Sequence, residues 1–185
     1  LEGNINAIGH LAVACPGNLM GYWEMHRRFG RMSWKEVIQP AIDMARHGFV
    51  VGEELAGTWS PTAAASQSAL PSMWDYISAT ADWLRIFGND GKGWKPGDLF
   101  TNQDYSNTLS EVANHGPEVF YQGWIAELIA KNFADNGGLL DAEDLRQYTA
   151  SITDPLSATY KGYTVTANQP PSSGVQVLET LNILE

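Results

Sequence analysis

Residues 33–48, with the sequence SWKEVIQPAIDMARHG, carry the signals that decide most of this fold. Ser33 and Glu36 have the spacing of a capping box, in which each side chain accepts a hydrogen bond from the other residue's backbone amide. Apolar residues follow at helical spacing: Val37, Ile38, Ala41, Ile42 and Ala45. The stretch ends on basic residues and Gly48, as helices often do. Pro40 lacks an amide hydrogen, so we expect it to end or kink the first turns.

The same helical pattern extends on both sides of this stretch. Asn18 is expected to cap a helix that ends near Gly30, and Asn102 and Asp141 are expected to cap two later ones. In the helix predicted over 123–135, Glu127 and Lys131 have the spacing of an ion pair. Further helical segments are predicted at 53–59, around 74–87, after Gly116-Pro117, and from Val175 onward, whereas 61–71 reads as a flexible loop or a weak helix.

Near the C-terminal end the period of the pattern changes. Residues 156–160 and 163–167 are rich in residues that favour strands, and Lys161-Gly162 between them suits a two-residue hairpin turn. We therefore predict an α+β chain that is mostly helical, with one β-hairpin near the C-terminus.

The composition excludes several classes of partner. The chain has 185 residues, 44% hydrophobic and 17% charged, with a net charge of −10. The acidic balance argues against binding to a nucleic-acid backbone or to an anionic membrane. The single Cys excludes an internal disulfide and a Cys-based zinc cluster. No apolar run reaches the roughly 20 residues of a membrane span, and no signal segment opens the chain.

Both ends of the chain lack ordinary boundary signals. The first residue is Leu1 rather than Met, and the helical pattern before Glu185 has no glycine, basic turn or proline to stop it. We expect an internal piece of a larger protein, although a frayed terminal helix is the open alternative.

The titratable residues offer weak candidates for chemistry. Cys15 precedes a predicted helix start, which can lower a thiol pKa, but we favour a small buried hydrophobe. The four histidines (His10, His26, His47 and His115) lack the spacing of a helical metal site. We expect His26 to be a hydrogen-bonded core imidazole and His47 a cation at a helix C-terminus.

Three further groups of residues have a structural explanation that we prefer. The carboxylates Asp141, Glu143 and Asp144 could hold Ca²⁺ or act in acid–base chemistry, but capping explains them at a helix start. Gly88, Gly91 and Gly93 do not form a phosphate-binding motif, and Asn89-Asp90-Gly91 lacks the final Glu of a calcium loop. The tryptophans could stack on sugars, but several lie on predicted helix faces and suit a core. They are Trp23, Trp34, Trp59, Trp74, Trp83, Trp94 and Trp124.

An ordered series of short motifs spans nearly the whole chain, with a poor match at about 58–87. It comprises Ala14-Cys15-Pro16-Gly17 with Gly21, Arg28-Phe29-Gly30-Arg31 with Trp34, Gln39-Pro40-Ala41-Ile42, Ala45-Arg46, Gly48-Phe49, Pro96-Gly97-Asp98, Gly116-Pro117, Phe120-Tyr121-Gln122-Gly123, Ile125-Ala126, Gly137-Gly138-Leu139, Glu143-Asp144-Leu145, Tyr148, Tyr160-Lys161-Gly162-Tyr163, Pro170-Pro171-Ser172-Ser173-Gly174 and Leu181-Asn182-Ile183-Leu184-Glu185. In this series the chain resembles the large-subunit region of the gamma-glutamyltransferase (gamma-glutamyltranspeptidase) family. Gln169, in place of a usual proline, and Val175, in place of a usual glycine, depart from the family pattern.

The resemblance implies a part of an αββα N-terminal-nucleophile hydrolase, made as a precursor that cuts itself before a Thr. The freed Thr hydroxyl then attacks a gamma-glutamyl amide, and its own α-amine acts as the base. In the family this Thr lies downstream of Glu185, and an Arg that binds the substrate carboxylate lies upstream of Leu1. We therefore assign no catalytic, cofactor-binding or metal-binding residue within the chain, which alone is expected to be inactive.

The resemblance carries further expectations. Residues 1–185 are expected to be one partial large-subunit region without an internal boundary, and no cofactor is required. The partners are a small gamma-glutamyl or other amide substrate, the rest of the large subunit, and the small subunit of the same precursor. The family leans towards a periplasmic or extracellular location. A sister amide hydrolase (an oxamate-type amidohydrolase or an acylase) and a stand-alone acidic helical binding module are the alternatives.

Overall fold

The computed structural model describes residues 8–61 and 71–185, and the chain divides into two compact units after Thr149. Most of the segment predicted as a loop or weak helix, residues 62–70, lies outside the described residues. The prediction that the chain has no internal domain boundary stays a prediction.

Within residues 8–61 and 71–149, the first unit is helical apart from one short pair of strands. The first element of this described part is a short 3₁₀ helix, His10–Ala12. The elements that follow are α1 (Asn18–Phe29), α2 (Trp34–His47), β1 (Phe49–Val50), α3 (Glu53–Thr58), α4 (Met73–Ser78), α5 (Ala81–Phe87), β2 (Leu99–Phe100), α6 (Gln103–His115), α7 (Glu118–Tyr121), α8 (Trp124–Asp135) and α9 (Ala142–Gln147).

Helix α2 forms as its capping box predicts, but Pro40 does not end it. The amide of Glu36 donates to Ser33 Oγ (3.3 Å) and the amide of Ser33 donates to Glu36 Oε2 (2.8 Å). The helix continues through Pro40 to His47. We attribute this to packing, because α2 lies antiparallel against α6 along its length, and tertiary contacts outweigh the local penalty of a proline. Gly48 ends the helix at a φ of +86°.

The strands β1 and β2 form an antiparallel pair that the sequence did not predict. Phe49 pairs with Phe100 and Val50 pairs with Leu99. Phe100 is buried at the centre of an aromatic cluster, which we call the Phe100 cluster. Its ring centroid lies 5.0 to 5.9 Å from those of Phe49, Trp59, Phe87 and Trp94. The cluster therefore joins segments that are up to about fifty residues apart in the chain.

A second core of the same unit surrounds Tyr121. Its buried members are Tyr121, Ala126, Phe133, Leu140 and Leu145, and the partly buried Cys15, Leu19, Met20, Phe120, Ile129 and Tyr148 pack against them.

Two local predictions, one about α8 and one about residues 74–87, need correction. Lys131 pairs with Asp135 (2.6 Å) rather than with Glu127. The segment predicted as one helical run over 74–87 forms two helices, because Thr80 caps a new helix through the amide of Trp83 (3.2 Å).

The second unit is a β-hairpin with one helix packed on it. Strands β3 (Leu156–Tyr160) and β4 (Tyr163–Ala167) pair with Tyr160 opposite Tyr163, as predicted. Lys161 and Gly162 both have positive φ, at 46° and 80°, which is the conformation of a two-residue hairpin turn. Helix α10 (Gly174–Leu184) packs on both strands and buries Leu178. The predicted α+β class, mostly helical with a hairpin near the C-terminal end, is confirmed.

Candidate functional site

The start of α1 is a closely packed polar site in the first unit. Gly17, which precedes the helix, offers no side chain to cap it, and Asn18 is the first helical residue rather than the predicted cap. The hydroxyl of the buried Tyr121 takes this role. It accepts from the amide of Met20 (3.2 Å) and donates to the carbonyl of Pro16 (2.6 Å). A residue about 100 positions away thus satisfies one of the free amides of α1.

Tyr148 completes this arrangement, which we call the Tyr121 clamp. The rings of Tyr121 and Tyr148 stack with centroids 5.7 Å apart and planes at 8°. A Cβ atom on Gly17 would lie 2.0 Å from the hydroxyl oxygen of Tyr148, so only glycine fits there without a shift. Burial raises the pKa of Tyr121, an effect that the amide of Met20 partly opposes. The phenol therefore stays neutral and keeps its donor proton at neutral pH.

Cys15 lies beside this clamp, but its surroundings oppose nucleophilic chemistry. Burial raises the pKa of its thiol, and the negative charge of Asp144 raises it further. Its Sγ faces the backbone oxygen of Asp144 at 3.8 Å. Because the thiolate is the reactive form, these neighbours favour an inert thiol, as expected, although Cys15 is half-buried rather than buried.

The carboxylate cluster at the start of α9 is a capping arrangement. Asp141 Oδ1 accepts from the amides of Glu143 (2.8 Å) and Asp144 (2.9 Å), and the amide of Asp141 donates to Asp144. Hydrogen bonds from Arg146, and then from Gln147, lower the pKa of Glu143. Over residues 8–61 and 71–185, no three His, Cys, Asp or Glu side chains have the arrangement of a metal site.

His26 and His47 lie in the last turns of α1 and α2. His26 Nε2 lies 2.9 Å from the carbonyl oxygen of Met32, and its ring packs against those of Trp23 and Trp34. His26 is thus hydrogen-bonded as predicted, although it is half-buried rather than part of the core. His47 lies in the last turn of α2, as predicted.

One cleft among the described residues is lined by the 3₁₀ helix at His10 and parts of α4, α5 and α8. It is open and has a volume of about 640 Å³. His10 Nε2 lies 2.8 Å from Asn132 Oδ1, and its ring meets the edge of Phe133. The hydroxyl of Thr80, which also lines the cleft, already caps α5. Three polar groups of the cleft, on His10, Asn132 and Thr80, are thus used in structural contacts.

The tryptophans are divided between core and surface. Trp59 and Trp94 belong to the Phe100 cluster, and Trp34 Nε1 donates to the carbonyl of Val112 (3.0 Å). Trp83 and Trp124 are about half exposed, so they do not fill a core.

Gly91 and Gly93 have positive φ in the turn after α5, which explains these glycines without a phosphate. In the described part of the chain, no helix is both long and apolar enough to cross a membrane.

Comparison with known proteins identifies the family to which these elements belong. The family model described as gamma-glutamyltranspeptidase matches residues 2–185. The glutathione hydrolase proenzyme of Escherichia coli is 37% identical over 177 residues, which are 95% of this chain and 29% of that protein. The acylase ACY 1 proenzyme of a Pseudomonas species is 36% identical over 97% of this chain and 30% of its own length.

A solved structure gives the same result at the level of the fold. The gamma-glutamyltranspeptidase of Helicobacter pylori superposes with a TM-score of 0.88 and 28% identity, over 100% of this chain and 50% of that one. The chain therefore belongs to the gamma-glutamyltranspeptidase family, as its motif series indicated, and it spans less than a third of the curated relatives named here.

Proposed function

We propose that this chain is part of the large subunit of an enzyme that hydrolyses or transfers gamma-glutamyl groups from glutathione-like amides. The observation that carries the proposal is the family match over residues 2–185. The similarity to a glutathione hydrolase proenzyme supports the choice of substrate. Because that relative is a proenzyme, the similarity also supports synthesis as a precursor that is later processed.

Within that enzyme we assign catalysis to an N-terminal Thr outside this chain, and a structural role to the chain itself. The Thr hydroxyl would form an acyl-enzyme with the gamma-glutamyl group, which water or an amino acid then accepts. The Tyr121 clamp, the Phe100 cluster and the capping boxes are the contacts of a rigid support. They support a role in holding the surrounding chain in position for that chemistry.

The proposed partners of the chain are the remainder of the large subunit and the small subunit. Apolar side chains left open to solvent support this proposal. Ile183 and Leu184 on α10 are 83% and 64% exposed, and Phe29 on α1 is 78% exposed. Side chains of this size are stabilised when another part of a protein covers them.

A second candidate function is the cleavage of a different amide by the same chemistry. The observation in its favour is the acylase relative, which is almost as similar as the glutathione hydrolase. We place it second because the family model and the superposed Helicobacter pylori structure both carry the gamma-glutamyltranspeptidase name. A stand-alone binding module is not favoured, because the chain belongs to a family of enzymes.

A comparison of the full-length protein with residues 1–185 alone tests the proposal. The full-length protein should release the dye from a gamma-glutamyl anilide, and the isolated chain should release none. Release by the isolated chain, if it survives repurification and the Cys15→Ala substitution, would contradict the structural role. Full-length protein that cleaves only other acyl amides would replace the first function with the second.

A further inference from the structure

The turn that ends α8 contains the only Asn-Gly pair of the sequence, Asn136-Gly137. Both residues are exposed to solvent. The amide of Gly138 donates to the carbonyl of Phe133 (2.8 Å), and the amide of Gly137 donates to the carbonyl of Ala134 at the long distance of 3.5 Å. Together with the positive φ of Gly137, +71°, these bonds form a Schellman motif. The turn is therefore held by backbone hydrogen bonds, and the bond at the Gly137 amide is a weak one.

An Asn that precedes Gly is open to a reaction between its own side chain and the next backbone nitrogen. The Gly137 nitrogen loses its proton and bonds to Asn136 Cγ, the Cγ–Nδ2 bond breaks, and ammonia leaves with that proton. Water then opens the resulting succinimide ring at either of its two carbonyl groups, which gives aspartate or isoaspartate at position 136. A side chain on the second residue hinders the attack, and glycine has none. A Cβ atom built on Gly137 meets nothing within 4 Å, so no neighbouring group crowds this side of the turn.

The folded turn holds these two groups apart. The side-chain amide of Asn136 donates to the carbonyl of Asn132 (2.8 Å). The ψ of Asn136 is 13°, which turns the Gly137 nitrogen away from the Asn136 side chain. The ring can therefore close only after the last turn of α8 opens. Helix ends are among the parts of a protein that open most readily, because fraying ends cost a free energy close to zero.

We propose that Asn136 is a site of spontaneous deamidation in this protein, with isoaspartate as well as aspartate among the products. The modification has a definite place in the fold, because Asn132 and Asn136 both line the cleft at His10. It replaces the donor to the Asn132 carbonyl by a carboxylate, at a helix end where the dipole disfavours negative charge. Isoaspartate also lengthens the backbone just before Gly138, where an added Cβ would lie only 2.5 Å from the ring of Phe133. The end of α8 and this side of the cleft therefore loosen on modification.

Peptide mapping by mass spectrometry tests this proposal, after the folded full-length protein has been kept at mildly alkaline pH and physiological temperature. Tryptic cleavage releases residues 132–146, which contain both Asn136 and Asn132. We expect Asn136 to gain the mass difference between an amide and an acid, and to react faster as the pH rises, because the attack needs the deprotonated nitrogen. Asn132 is the internal control. It is also exposed, but it precedes a large side chain and should stay unchanged.

Two variants should lose the modified product. Gly137→Ala adds the side chain that hinders attack, and Asn136→Gln would have to close a less favourable six-membered ring. Gly97→Ala is the matched control, because Gly97 also has a positive φ and open space around an added Cβ, and this variant should react at Asn136 like the wild type. The proposal would be overturned by an unmodified Asn136, by equal conversion of Asn132 and Asn136, or by conversion in Gly137→Ala at the wild-type rate.

Discussion

Replacing Tyr121 with Phe removes one oxygen atom from the first unit, and with it both polar contacts of the Tyr121 clamp. The hydroxyl donates to the Pro16 carbonyl and accepts from the Met20 amide. The phenyl ring of the variant would retain the stack on Tyr148 and the packing of the surrounding core. The substitution therefore tests the hydrogen bonds with little change in buried apolar surface.

The expected loss of stability is about 2 kcal/mol. Loss of a helix cap costs about 1 kcal/mol, and loss of a further hydrogen bond in a partly buried site costs about the same. For a chain of this length, about 2 kcal/mol corresponds to a decrease in Tm of about 4–8 °C.

Urea denaturation and a thermal melt of the Tyr121→Phe variant measure this loss. Tyr22→Phe is the matched control, because Tyr22 is 58% exposed and no hydrogen bond of its hydroxyl is found among the described residues. The control should unfold like the wild type. A loss below about 0.5 kcal/mol in Tyr121→Phe, within the usual range for surface substitutions, would refute the assignment of Tyr121 as the cap of α1.

Three further predictions concern packing and pH. Gly17→Ala should lower the free energy of unfolding by about 1–3 kcal/mol more than Gly52→Ala does. The reason is that an added Cβ meets the Tyr148 hydroxyl at position 17 and open space at position 52. Thermal melts of the two variants side by side check this. Ser106→Ala should be neutral or stabilising in urea denaturation, since the buried Ser106 hydroxyl has no partner among the described residues and Ala favours a helix. Hydrogen bonds from Ser33 lower the pKa of Glu36, so the stability it adds is present above pH 4.5 and is lost as the pH falls through the lower folded value. The stability difference between wild type and Glu36→Ala should therefore shrink in acid.

The features that the sequence predicted well depend on neighbours in the chain. The capping box at Ser33 and Glu36 and the hairpin turn at Lys161-Gly162 each involve residues within a few positions of one another. Their geometry follows from local hydrogen bonds and allowed backbone angles, which a single sequence displays directly.

The features of the fold that the sequence did not predict depend on residues that are far apart in the chain. Phe49 pairs with Phe100 across about fifty residues, and strands of two residues show no alternating pattern. Tyr121 caps α1 from about 100 positions away, so the local signal at Asn18 was misleading. Pro40 lies within a continuous helix because α6 packs against that helix, which local propensity does not reveal.

For the candidate site, the residues alone indicated the inert character of Cys15 and the capping role of Asp141. Both followed from general chemistry, namely the reactivity of thiolates and the preference of carboxylates for helix starts.

The central claim is that this chain has a structural role in a large subunit and that the catalytic Thr begins a separate small subunit. The intact mass of the full-length protein after purification tests this claim most directly. We expect two polypeptides, with residues 1–185 wholly inside the larger one and a Thr at the first position of the smaller one. A single uncut polypeptide that still cleaves the gamma-glutamyl anilide, or a processing cut within residues 1–185, would contradict the account.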